Sequence, residues 1–204
     1  MVPYTPLVRP KEYFEGRRDV LMPAMGVFAV YVVGGVLLMN ALVNTLVAQI
    51  ERPPAGLDAA LNQVMGTVVF MSVIIAIVAL LVVAAIMHYL SGSGQFGAFS
   101  DAVAVAGWAY APNAIFIPLQ YGYARNQIRQ LSFDGSDPAV LARQFEAVQS
   151  QFTAVSMVLH LLIVAWSVYI LAKGIAGTHD CTVDETIGPA LLVGVGALVM
   201  QFLF

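Results

Sequence analysis

Five stretches of this chain are apolar and almost free of charge for long enough to cross a hydrocarbon core as helices, which takes ~20 residues. The helices that contain them are expected at approximately 21–48, 65–90, 101–120, 138–173 and 186–204, the fourth apolar stretch itself being Phe152 to Ala172. The centre of the second, Val73-Ile74-Ile75-Ala76-Ile77-Val78-Ala79-Leu80-Leu81, has no polar side chain at all. Hydrophobic residues make up 60% of the chain and charged residues 10%, whereas soluble domains carry roughly 25% charge. Such a chain cannot cover its own surface in water. The fold class that follows is an all-α integral membrane protein, a bundle of five transmembrane helices forming one membrane domain over 1–204. Residues 1–20 form a short interfacial segment before it. The first apolar run is longer than the ~7–15 residues of a signal-peptide core, so it is expected to be retained.

The connections set the helix ends. Glu51-Arg52-Pro53-Pro54 stops the first helix, because proline disfavours the helical conformation in the residue before it. Ser91-Gly92-Ser93-Gly94-Gln95-Phe96-Gly97 divides the second from the third. Asp137-Pro138 is an N-cap followed by proline at the first helical position. No Gly or Pro then intervenes before Gly174. A helix over 138–173 would be roughly 54 Å long, so the fourth helix is expected to extend beyond the bilayer and stop at Gly174. Thr182-Val183-Asp184-Glu185 has the form of a capping box. With five spans and the N-terminus inside, the inner side holds Arg9, Lys11, Arg17, Arg18 and Lys173, and the outer side Arg52, Arg125, Arg129 and Arg143. Arg17-Arg18 directly precede the first helix, which favours a cell-membrane protein with a cytoplasmic N-terminus and the C-terminus outside.

No sequence signature of an enzyme is present. The chain has no His-Glu-x-x-His, no phosphate-cradling Gly-rich loop followed by Lys-Ser/Thr, and no Gly-x-Ser-x-Gly. Its one cysteine, Cys181, excludes an internal disulfide and a multi-cysteine metal site. No cofactor is expected. A net charge of -3 gives no basic surface for nucleic acid. The polar residues in apolar surroundings are the candidates that remain. His160, inside the fourth helix, is either a hydrogen-bonded packing residue or part of a polar path. His88, beside Tyr89, has the position of an interfacial anchor. Asp101 caps the third helix at its positive end. Pro112 breaks that helix, and the Asn113 amide either satisfies the carbonyl that proline frees or lines a path.

Glycines permit close helix approach in a membrane, within one bundle or between copies. Gly92, Gly94 and Gly97 are expected to tuck against the bundle, so that Leu at Gly94 or Gly97 destabilises it. Leu at Gly56, in the opposite loop, should be nearly neutral.

Ser91-Gly92-Ser93-Gly94-Gln95-Phe96-Gly97-Ala98-Phe99-Ser100-Asp101, with Val105-Ala106-Gly107-Trp108-Ala109-Tyr110-Ala111-Pro112, resembles the central signature of the Yip family, the Ypt/Rab-interacting membrane proteins. Arg9-Pro10-Lys11-Glu12-Tyr13-Phe14 is similar to the entry segment of the prokaryotic members, and Trp166-Ser167-x-Tyr169-x-Leu171-x-x-Gly174 to the end of their fourth helix. The resemblance implies five helices, a cytoplasmic N-terminus, no catalysis and a scaffold or trafficking role. The chain lacks the long cytosolic region and the Asp-Leu-Tyr-Gly-Pro element of the eukaryotic members, so no small-GTPase site carries over. Its expected partners are membrane lipids, further copies of itself or other membrane proteins. The alternative is a small transporter or channel with a path near Asn113 and His160.

Overall fold

A computed structural model describes residues 5–15, 19–53, 55–91, 97–133, 140, 143 and 153–203. The described residues form seven helices: α1 (Pro10–Phe14), α2 (Leu21–Val47), α3 (Leu57–Leu90), α4 (Phe99–Trp108), α5 (Ala111–Ile128), α6 (Thr153–Thr178) and α7 (Val183–Leu203). Five spans are long and apolar enough to cross a membrane: Leu21–Val47, Ala59–Leu90, Phe99–Ile128, Met157–Thr178 and Val183–Met200. The chain is an all-α membrane bundle.

The third span departs from the single helix expected over 101–120. It is two helices, α4 and α5, joined at Ala109 and Tyr110. Pro112 therefore lies in the first turn of α5, where its missing N–H costs nothing. Pro118 is accommodated inside α5, which continues to Ile128. The second span begins at Leu57, earlier than expected, with Gly56 as its N-cap at φ 83°. Gly174 does not stop α6, which runs on to Thr178. The reason is contact: a Cβ at Gly174 would lie 2.6 Å from Val105 Cγ1, so this glycine gives α4 room to approach α6. The expected extension of the fourth helix towards Pro138 lies almost wholly outside the described residues, as do Gly92 and Gly94.

The caps are local. Asp101 Oδ2 accepts from the Ala98 N–H at 3.3 Å, the capping expected of it. Glu185 Oε2 accepts from the Thr182 N–H at 2.8 Å and from the Thr182 hydroxyl at 3.0 Å.

Packing is concentrated at one end of the bundle. The buried core draws Phe14 from α1, Ala24 and Phe28 from α2, Ala84 and Met87 from α3, and Ile170, Leu171 and Ile175 from α6. These come from the beginning of α2 and the ends of α3 and α6, which lie together because neighbouring spans alternate in direction. Small residues of α4, including Ala102, Ala104 and Ala106, fill the centre. Chain segment 7–14 is stitched to α6: Trp166 Nε1–H donates to the Leu7 carbonyl at 2.9 Å and the Tyr169 hydroxyl to the Val8 carbonyl at 2.7 Å. At the opposite end the α2–α3 link pairs with the exit of α5. There Phe133 N–H donates to the Gln49 carbonyl at 3.1 Å, and the Ser132 hydroxyl donates to Glu51 at 2.8 Å.

Candidate functional site

Two places combine polar side chains with apolar surroundings. The first is at the packed end. His88 closes α3 and His179 follows α6, and they meet with His88 Nδ1 and His179 Nε2 3.1 Å apart. The His179 ring is fully buried. Its Nδ1 is 2.7 Å from the Thr178 hydroxyl. Phe99 sets its ring edge against His88, with centroids 5.7 Å apart. Gly97 lies on the His179 ring so closely that a Cβ there would collide with it. This supplies a physical reason for glycine at the end of the Gly-rich link. Ser91 Oγ is buried nearby in sequence and has no hydrogen-bond partner among the described residues.

A neutral pair places one proton between the two rings, so the contact accepts at most one positive charge. Burial first, and then the neighbouring His88, push the His179 imidazole below its usual 6.5, while Asp101 acts in the opposite direction. The unfolded chain therefore takes up a proton more readily than the folded one. Stability from His179 is complete above pH 6.5 and is lost as pH falls through 6.5 towards the lower folded-state value. Between about pH 7.5 and about pH 5.5 the melting temperature should fall, and His179→Gln should flatten that fall. Identical slopes for wild type and variant in a detergent melting series would exclude His179 as the cause.

The second place is a cavity of about 200 Å³ between the spans. Among the described residues its polar lining is Tyr31, Tyr110, Asn113, His160 and Ser167, with no Asp, Glu, Lys or Arg. Tyr31 and Tyr110 stack with centroids 4.8 Å apart, and Phe28 meets Tyr110 edge-on at 5.2 Å. Ser167, not Asn113, serves the break between α4 and α5: its hydroxyl donates to the Ala109 carbonyl at 2.7 Å. The Asn113 and His160 side chains make no hydrogen bond among the described residues. The sequence placed them in different helices, and the structure brings them to one cavity.

The candidate residues thus divide. Asn113 and His160 share the cavity. Pro112, buried beside it, shapes the helix junction. Gly97 and Asp101 belong to the histidine end. His179 was not a candidate in the sequence, because a polar residue after Gly177-Thr178 has the look of an ordinary turn. Parity was the available signal: His88 leaves the second span and His179 the fourth, so both emerge on one side. Among the described residues no group of three or more His, Cys, Asp or Glu could hold a metal ion. A family model of the Yip1 domain matches residues 6–204. No curated protein and no solved structure matches the chain.

Proposed function

Because the chain belongs to the Yip1-domain family, we propose that it is a non-enzymatic, membrane-organising protein that acts by packing its outer helix faces against further copies of itself in the cell membrane. The observation that carries this reading is the unequal burial of the spans. In the most apolar stretches of α2 and α3 only 6% and 11% of residues are buried, against 44% for the third and fourth spans. Between α2 and α3 runs a groove of about 220 Å³, with Gly35 on one wall and Ala76 on the other. Gly35 and Gly66 meet nothing within 4 Å, whereas Gly34, Gly107, Gly174 and Gly194 are each used inside the bundle. Small residues on an open face allow another helix to approach closely, which is how association gains energy where lipid removes the hydrophobic drive.

One observation favours the second reading, a small transporter or channel: Asn113 and His160 share a cavity. The two readings part on flux. Liposomes containing the purified protein should show no proton or solute permeation that depends on His160. Permeation lost in His160→Gln would replace the first reading with the second.

The orientation belongs to the same proposal. With the N-terminus inside, Cys181 faces the cytoplasm. Burial raises its thiol above the usual range, and Glu185 adds to this, so labelling is slow at neutral pH and faster at about pH 8.5. An impermeant maleimide should then label inverted vesicles and spare intact cells. Rapid labelling of intact cells would reverse the orientation.

A further inference from the structure

We infer that the cavity between the spans is a binding slot for a single-chain, uncharged amphiphile, such as a long-chain alcohol, with its polar head at Asn113 and His160. Shape and chemistry both point to such an occupant, whether or not the protein self-associates. The cavity touches α6 from His160 to Leu171, a separation of eleven positions, which at ~1.5 Å per residue is about 16 Å along the bundle. A cavity of about 200 Å³ spread over that length is narrow, the form of a chain and not of a compact solute. Its Leu171 end is apolar, lined also by Val83 and Ala106. Its polar side chains without partners, Asn113 and His160, lie farther along.

In a membrane an amide or imidazole without a partner is costly, so an occupant that bonds to it gains by doing so. Charge decides the class. With no Asp, Glu, Lys or Arg among the described residues of the lining, a carboxylate, phosphate or ammonium would be buried there without a counter-charge. Access follows from Ala197, which lines the cavity and is exposed on α7, so the slot opens sideways to lipid. A chain entering there puts its head at Asn113 and His160 and its tail towards the bundle's packed half.

The test uses the full-length protein in liposomes containing a diazirine-bearing hexadecanol, with the matched hexadecane and hexadecanoic acid probes for comparison. After irradiation, adducts are mapped by peptide mass spectrometry. The alcohol should label residues 160–171 and 193–197 in preference to the outer face of α3. It should outdo the alkane and the acid there by about fivefold to tenfold, the scale of one or two hydrogen bonds in a membrane. Ala197→Trp should block the opening and remove this labelling. Should that variant fail to fold, the double change Asn113→Leu and His160→Leu keeps an apolar slot and should abolish the preference for alcohol over alkane. Adducts spread over the exposed faces in proportion to lipid contact, or a preference unchanged by the double change, would overturn the assignment.

Discussion

Gly177→Leu should destabilise the bundle by about 2–3 kcal/mol, the upper range of overpacking costs. A Cβ at this position would be 2.6 Å from the Lys11 carbonyl oxygen, with the Lys11 Cα and carbonyl carbon at 3.1 and 3.2 Å. These are backbone atoms, so no side-chain rotation relieves the collision, and α1 must leave α6. The loss then includes the burial of Phe14 and Tyr13 and the edge-to-face contact of Tyr13 with Trp108 at 5.8 Å. Gly35→Leu and Gly66→Leu are the controls, because both positions are helical and open. They should stay within about 0.5 kcal/mol of wild type in detergent melting. Gly56→Leu, which the sequence suggested as neutral, is not a control. Gly56 adopts φ 83°, a left-handed conformation that costs a side chain about 1–2 kcal/mol. Melting of Gly177→Leu alongside the controls would mean that α1 is not seated on α6.

Phe14→Ala should cost about 3 kcal/mol, at the low end for a fully buried phenylalanine. The ring is 1% exposed and belongs to the core shared by α1, α4 and α6. The measurement is twofold, melting temperature together with trypsin cleavage after Lys11. Faster cleavage with a lower melting temperature is the expected pair. Unchanged cleavage would show that the short helix is held by the Trp166 and Tyr169 hydrogen bonds alone.

The spans were legible because a hydrocarbon solvent leaves helices few choices of composition, and α2 starts where its apolar run starts. The Asp101 cap was legible for a related reason: it needs only residues three positions apart. What failed to show depended on contacts between distant segments. Gly174 has the chemistry of a helix stop, but α4 uses it as a contact surface, so α6 continues. Pro112 and Pro118 suggested one broken helix, whereas the break falls at Ala109 and Tyr110, where Ser167 from α6 accommodates it. Of the candidate site, Asn113 and His160 were named together in advance as the lining of a path, but Tyr31, Tyr110 and Ser167 beside them were not. The His88–His179 pair spans 91 positions of sequence, and only the parity of the spans hinted at it.

The central claim, that the open faces of α2 and α3 work by meeting another copy, is tested most directly in a bilayer. Copies carrying a donor or an acceptor dye on Cys181, the one cysteine of the chain, are mixed and reconstituted into liposomes, and energy transfer is followed as lipid is added. The account predicts transfer above that of randomly placed molecules, persisting on dilution, and falling to the random level in Gly35→Leu with its melting temperature unchanged. Wild-type transfer that follows the random curve at every dilution would contradict it.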